Sequence, residues 1–149
     1  MGQQQLLLIL IVTIVVGIAT VVGIQMFGEG ARAAVYDAVR LDLLEIGVEA
    51  QGYYVRPTSI DGGGRSFEGL DFTKLSLSVD ISEDSDNVAT NLNATYTISG
   101  QSRTEFLVTA ELDDANNRFM AIRVCQNQNH LGQLGIGSAP PPPPCDENN

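Results

Sequence analysis

The residues of this chain that are best placed to do chemistry are the carboxylates and hydroxyls of the stretch DISEDSDN, from Asp80 to Asn87. Oxygen-rich loops of this kind bind Ca²⁺, but an EF-hand loop also needs a central glycine for its turn and a bidentate glutamate at its end. The stretch contains no glycine and does not end in glutamate. We therefore interpret it as a solvated acidic turn and predict no metal site.

Two further patterns lack the partners that catalysis or phosphate binding needs. His130 is the single histidine, and no serine or cysteine nucleophile accompanies it in a recognisable motif, so we interpret it as a lone surface residue. The run Gly62–Gly64 lacks the lysine of a phosphate-binding loop and is interpreted as a turn. The sequence thus predicts a protein that is not an enzyme and holds no cofactor.

The two cysteines, Cys125 and Cys145, belong to no CxxC pair, and with one histidine the chain offers no zinc set. In an extracytoplasmic domain a pair of cysteines favours a disulfide, which here would tie the tail back to the fold. Two buried or unpaired thiols are the alternative. The triplet Asn93-Ala94-Thr95 is a glycosylation sequon, and because such triplets are common by chance, Asn93 is a modification candidate only.

The first structural element of the chain is an uncharged run from Leu6 to Phe27. A membrane-spanning helix needs roughly 20 apolar residues, and this run meets that length. A cleaved secretory signal is the alternative, because residues 31–33 offer an Ala-x-Ala cleavage pattern. A signal peptide, however, has a basic start and a shorter apolar core. We predict a hydrophobic helix over residues 1–27.

A second helical segment follows, from residue 28 to residue 54, and it is rich in helix formers and free of proline. Apolar residues recur in it at intervals of three or four, which is typical of a helix with one buried face. Pro57 ends the helix, because the residue before a proline is disfavoured in the helical conformation. The positions that we expect to cover a sheet are Ala34, Ala38, Leu41, Leu44 and Val48.

Four glycines weaken the apolar part of the helix and its junction with the amphipathic part. Each lowers helix propensity by about 1 kcal/mol relative to alanine. We predict a kinked or non-helical segment between Gly17 and Gly30 when the chain is assembled with its copies. The alternative is that these glycines only let helices approach closely. The four are Gly17, Gly23, Gly28 and Gly30.

The remaining residues, 55–149, predict a domain built of β-strands, which we call the head. Strand-like runs, alternating or β-branched, cover residues 70–82, 88–99, 103–112 and 118–125, with turn-rich stretches between them. Short links predict an antiparallel four-stranded meander, with the amphipathic helix covering one face. The run Pro140–Pro144 favours a polyproline II conformation, interpreted as a stiff surface loop, with a ligand for an SH3-type domain as the alternative.

The charge balance limits the classes of partner. The chain carries 8 basic and 18 acidic residues, for a net charge of −10 at pH 7. Nucleic-acid binding needs clustered Lys and Arg, and here the basic residues are scattered singly, so no nucleic-acid partner is predicted. The same scatter gives little attraction to anionic lipid headgroups.

This order of elements resembles the type IV pilin family across the whole chain: an apolar then amphipathic helix, a loop, an antiparallel sheet and a C-terminal loop closed by a disulfide. The resemblance is weaker in motif. Family members carry a basic leader ending in glycine and a glutamate at the fifth mature position. Gly2 aligns with that glycine and Gln3 with the first mature residue, while the fifth position is Leu7 and no basic residue precedes Gly2. The chain is therefore similar to a divergent pilin.

The resemblance implies an α+β fold in which the long N-terminal helix packs on a four-stranded antiparallel sheet. Residues 1–27 would be membrane anchor and filament core, 28–54 the amphipathic helix, and 55–149 an extracytoplasmic head. The implied function is a structural subunit of a surface filament, whose partners are its own copies, the inner membrane before assembly, and a pilus-type assembly machinery. The expected assembly core is Leu6, Leu10, Ile14, Gly17, Val21, Gly23 and Phe27.

Two other roles fit the same sequence. One is a minor pilin or a pseudopilin of a secretion machine. The other is a single-pass, membrane-anchored binding domain that does not polymerise. Electron microscopy of purified material distinguishes a polymer from the anchored domain.

Overall fold

The structure is a computed structural model that describes residues 2–113, 117–133, 135–137 and 140–145. The chain divides into two compact units, residues 1–37 and residues 38–149. One long helix is followed by two 3₁₀ turns and a sheet. The elements are α1 (Gly2–Val55), the 3₁₀ turns Thr58–Ile60 and Phe72–Lys74, and strands β1 (Asp80–Ser82), β2 (Ser85–Thr90), β3 (Ala94–Ser99), β4 (Glu105–Leu112), β5 (Arg118–Cys125), β6 (Asn129–Leu131) and β7 (Gly135–Ile136).

The first unit is helical throughout its described residues, and its apolar side chains face outward. Among the large apolar side chains of residues 6–27, the exposed fractions run from 47% at Val22 to 83% at Phe27. The helix is not interrupted by proline, and the Thr13 hydroxyl finds its partner within the helix, where it donates to the Leu10 carbonyl oxygen at 2.9 Å. By length and composition, α1 is able to cross a membrane.

All four glycines of the predicted weak stretch have a helical backbone in the single chain. A Cβ added at Gly17 or Gly23 would meet no described atom within 4 Å, so each glycine leaves a small notch on the helix surface. The kink between Gly17 and Gly30 is predicted for the assembled form. It therefore stays a prediction, as does the alternative of close helix packing.

In the second unit, α1 packs on the sheet through a different stripe from the predicted one. Leu41 and Val48 are 67 and 64% exposed, and Leu44 is 38% exposed, so the predicted stripe is wrong. Ala34 is exposed as well, and Ala38 is only half-buried. The helix has apolar residues on two faces, and periodicity alone does not say which face meets the sheet. The residues that are buried are Val39, Leu43, Ile46, Gly47, Ala50 and Tyr53.

The sheet is an antiparallel meander in which β1 to β6 are neighbours in chain order, while β7 pairs with β5 beside β6. The register is regular at its centre, where Val108 of β4 faces Ile98 of β3 and Ile122 of β5. The predicted α+β fold, with the helix packed on an antiparallel sheet, is confirmed. The strand count is not, because the described residues form seven strands rather than four.

The first predicted strand is mostly not a strand. The Asp71 carboxylate accepts a hydrogen bond from the Thr73 backbone N–H at 3.0 Å, which begins a 3₁₀ turn inside the run 70–82. Such side-chain caps compete with ladder hydrogen bonds. Only the last three residues of the run therefore join the sheet, as β1.

The second predicted strand is a hairpin. Asn91 Oδ1 accepts from the backbone N–H groups of Asn93 and Ala94 at 2.8 and 3.1 Å, and this local bonding turns the chain between β2 and β3. The polar tail then supplies two more short strands, β6 and β7. The division of the second predicted strand adds one strand and the tail adds two, which accounts for the change from four strands to seven.

The core of the head lies between α1 and the sheet, and the loop after the helix completes it. Phe67 of that loop is fully buried. Its ring centroid lies 5.1 Å from that of Phe106 on β4 and 4.8 Å from that of Tyr54 on α1. Aromatic pairs at these distances add about 0.5–1.5 kcal/mol each to the burial itself, so the loop binds helix and sheet together.

The predicted disulfide between Cys125 and Cys145 is present, and it joins the end of β5 to the tail. Arg123 strengthens the same junction. Its guanidinium donates to Glu105 Oε1 at 3.1 Å and to the Pro142 carbonyl oxygen at 3.4 Å. In the chain-entropy account, closing such a loop contributes on the order of 3 kcal/mol.

Candidate assembly surface

Over residues 6–27 the first unit presents an apolar surface all round the helix. Fully burying one Leu, Ile or Val side chain contributes about 1.5–3 kcal/mol, so this surface is stable only in hydrocarbon or against other apolar helices. Gly17 and Gly23 lie on the same helix as notches. The expected core residues with large side chains are exposed as follows: Leu6 70%, Leu10 60%, Ile14 54%, Val21 56% and Phe27 83%.

The second unit carries a further apolar row on α1, which we call the outer stripe. Intervals of three, four and seven residues place its members on one helix face. At about 100° per residue, that face lies opposite the stripe that packs on the sheet. The outer stripe is therefore not part of the core of the head. Its members and their exposed fractions are Leu41 67%, Leu44 38%, Val48 64% and Val55 73%.

The orientation of the outer stripe is set by Asp42, which fastens α1 to the β2–β3 hairpin. Asp42 Oδ2 accepts hydrogen bonds from Asn91 Nδ2 at 2.8 Å and Asn93 Nδ2 at 3.3 Å. It also accepts one from the Tyr96 hydroxyl at 2.5 Å. Burial, and next the hydrogen bond to Asp42, raise the pKa of Tyr96. The neutral phenol is thus a fixed donor, and it holds the helix at one rotation on the sheet.

A second contact fixes the helix against β6. A Cβ added at Gly47 would lie 2.7 Å from Asn129 Nδ2, so the absence of a side chain at Gly47 lets Asn129 reach the helix. There Gln51 Nε2 donates to Asn129 Oδ1 at 3.1 Å. The tail that follows β5 is therefore joined to α1 as well as to the sheet.

Sequence reasoning missed both of these contacts. Asp42 is separated from Asn91 by 49 positions and from Tyr96 by 54 positions, so no local pattern connects them. A weak signal was available, since a carboxylate next to a row of buried apolar positions needs hydrogen-bond donors. Gly47 gave a similar signal as a helix-breaking residue inside a helix.

The other residues singled out in the sequence are distributed over the head. The acidic stretch forms the β1–β2 hairpin, where Asp80 and Asp84 are exposed. Asn93 is half-buried at the β2–β3 turn, with its amide on Asp42. His130 is not the surface residue that was expected: it lies half-buried in β6, and its Nε2 is shielded from solvent.

One group of possible metal ligands occurs among the described residues. The ligand atoms of Glu105, Cys125 and Cys145 lie within 4.8 Å of one another. The two sulfurs are joined in the disulfide, which leaves the carboxylate as the one available ligand. A single carboxylate, already paired with Arg123, does not hold a metal ion.

No family model matches this chain, and neither a curated protein nor a solved structure matches it. Three features of the molecule bear on its function. They are the apolar helix of the first unit, the outer stripe of the second, and the hydrogen bonds of Asp42 that orient this stripe. The first two are exposed apolar surfaces, and the third fixes how one of them is oriented.

Proposed function

We propose that this chain is the structural subunit of an extracellular helical filament similar to a type IV pilus, assembled through its hydrophobic N-terminal helix. In this proposal the subunit first crosses the inner membrane once. A pilus-type machinery then moves it into the filament at the cell surface, where its partners are its own copies. Membrane and filament core both exclude water, so one apolar surface serves in both places.

The observation that carries the proposal is the outer stripe. A single membrane crossing needs roughly 20 residues, and the run Leu6–Phe27 provides them. Leu41 and Val48 lie well after that run, and they are more than half exposed. Clustered apolar side chains on a surface mark contacts with other molecules. A bundle of copies covers such side chains with neighbouring helices, and this is the support that the outer stripe gives to the filament.

The energetic scale fits a supporting contact. Burying Leu41, Leu44 and Val48 against a neighbour contributes about 1.5–3 kcal/mol each before association costs are subtracted. The longer apolar run of the first unit supplies the larger share of burial. In the proposal, therefore, the first unit drives association and the outer stripe selects how the heads are arranged.

The test compares fibre formation by three forms of the full chain, imaged by negative-stain electron microscopy after removal of detergent and after shearing from the cell surface. The wild-type chain is expected to form long, uniform fibres. The variant Leu41→Glu/Val48→Glu puts two carboxylates on the outer stripe and is expected to form none. The control Leu92→Glu changes a fully exposed leucine at the β2–β3 turn and is expected to assemble normally.

Membrane insertion and head folding are measured alongside. Neither Leu41 nor Val48 is in the uncharged run or in the core, so the variant is expected to insert and to keep its disulfide. A wild-type chain that is stable in the membrane but forms no fibres would point to the anchored, non-polymerising domain. Normal fibres from the double variant would mean that the outer stripe is not an interface, and the proposal would lose its main support.

A further inference from the structure

We infer that the run Pro140–Pro144 is a preformed docking ridge for the aromatic-lined groove of a second protein. This inference goes beyond the filament proposal and holds whether or not the chain polymerises. It rests on the conformation of the run, on which of its rings are exposed, and on how the head holds it.

The conformation of the run is fixed by proline itself. The pyrrolidine ring sets φ near −65°, and a residue that precedes a proline is pushed out of the helical region toward the extended one. The described residues contain no cis peptide bond. Five consecutive prolines with trans bonds therefore form a polyproline II helix, which has three residues per turn and rises about 3.1 Å per residue.

Burial along the run follows this three-residue period. Pro142 is buried, and Cys145, three residues later, is half-buried in the disulfide, so one edge of the polyproline II helix faces the head. The other two edges face solvent as two pairs of rings, and equivalent rings of the pairs are about 9 Å apart. The exposed residues are Pro140, Pro141, Pro143 and Pro144.

The buried edge is held at three points. The disulfide fixes Cys145. Arg123 Nε donates to the Pro142 carbonyl oxygen at 3.4 Å. The run also passes close over Gly132, where an added Cβ would lie 3.2 Å from Pro142 Cγ. A segment that is already held in one conformation loses little entropy on binding, and this favours its use as a ligand.

The spacing of the exposed rings identifies the chemistry of the partner. Proline pairs repeated after three residues are the pattern that aromatic-lined grooves recognise in polyproline II segments. The head leaves both pairs of rings accessible to such a groove, and it holds them in the conformation that the groove binds. The exposure pattern therefore favours the ligand interpretation of the run over that of a stiff loop alone.

The groove is expected on a different protein rather than on a second copy. The chain has no tryptophan, 4 tyrosines and 5 phenylalanines. More than half of these aromatic rings are used in the core of the head and do not line a surface groove. The buried ones are Tyr53, Phe67, Phe72, Tyr96 and Phe106.

The experiment titrates the full chain in detergent micelles into two isotope-labelled probes, a WW domain and an SH3-type domain, followed by NMR. At least one probe is expected to show saturable shifts confined to its aromatic groove, and a free decaproline peptide is expected to reverse them. The variants Pro140→Ala/Pro143→Ala and Pro141→Ala/Pro144→Ala each remove one exposed edge. Each is expected to weaken binding by about tenfold or more, equivalent to 1.4 kcal/mol.

The control variant is Pro57→Ala, which changes the one proline outside the run and is expected to bind as wild type. Mass mapping of the disulfide checks that each variant keeps the bond that fixes Cys145. The inference is wrong if neither probe responds at a concentration where decaproline saturates it. It is also wrong if decaproline fails to compete, or if the two double variants bind as tightly as Pro57→Ala. The peptide competition needs no variant, so a folding defect does not leave the question open.

Discussion

Replacing Asp42 by alanine is expected to lower the free energy of unfolding of the head by about 2–4 kcal/mol. Most of this loss of stability comes from Tyr96. Its side chain is 0% exposed, and a buried hydroxyl that loses its hydrogen-bond partner costs about 1–3 kcal/mol. Asn91 and Asn93 are half-buried, so water replaces part of what they lose, and each adds roughly 0.5 kcal/mol. A loss of this size is a large share of the 5–15 kcal/mol typical of a domain.

The assay is equilibrium urea unfolding of the full chain in micelles, followed by near-ultraviolet circular dichroism of the tyrosines. Tyr96→Phe removes one donor and leaves two on Asp42, so it is expected to cost about 0.5–1.5 kcal/mol. The double variant is expected to cost less than the sum, by about 1–2 kcal/mol, because the two side chains share one hydrogen bond. Glu45→Ala, an exposed carboxylate on the same helix, is the control and is expected to change stability by less than about 0.5 kcal/mol.

The contact between Tyr96 and Asp42 is also expected to make the stability of the head depend on pH. Burial raises the pKa of Tyr96 above its ordinary value of about 10, so the folded head keeps the phenol proton when the unfolded chain has lost it. The stabilisation is complete below pH 10 and decreases as the pH rises further, by up to about 1.4 kcal/mol per pH unit. Tyr96→Phe is expected to remove this slope. An Asp42→Ala variant as stable as Glu45→Ala, or an unchanged slope in Tyr96→Phe, would refute the assigned role of the hydrogen bonds.

Three further outcomes are expected. Val15→Asp should abolish fibres, since an isolated carboxylate in a water-free bundle costs several kcal/mol, and normal fibres at equal protein level would show that this run is not the core. Gly52→Ala should raise the melting temperature through about 1 kcal/mol of helix propensity, because an added Cβ meets no described atom within 4 Å. Gly47→Ala should raise the melting temperature less, or lower it, because its Cβ displaces Asn129. Equal shifts of the melting temperature in the two variants would contradict the contact with Asn129. A filament structure should show a kink or unwound segment between Gly17 and Gly30, and a continuous straight helix there would favour the packing role of the glycines.

The elements that the sequence predicted well are those with long and repeated patterns. The uncharged run and the proline-free segment after it predicted one long helix, and it ends at Val55, two residues before Pro57. The β-branched runs predicted β4 and β5 within two residues at either end. The pairing of Cys125 with Cys145 followed from having just two cysteines. In each case local chemistry alone determines the outcome.

The parts that sequence reasoning did not reach depend on contacts between distant residues. Both stripes of the amphipathic helix have helical spacing, and it is the contacts of the helix with the sheet and its hairpin that decide that Leu43 is buried and Leu44 is not. The hairpin at Asn91 was read as a continuous strand, because its flanking residues favour strands on both sides. The hydrogen bonds to Asp42 join residues about 50 positions apart, which no periodicity reveals.

The opposition of the two apolar faces of the amphipathic segment has a consequence for how large an assembly grows. If this segment were apolar on every side, its heads would add neighbours in all directions. Here the chain's own sheet covers one side of the segment, so in the proposed filament only the side with Leu41 and Val48 would be open to another copy. In that filament the sheets of the heads would cover the outer side of the segment, which would leave no apolar face of the segment for a second layer of heads. The thickness of the polymer would then be set within each subunit, with no need for a template or a cap.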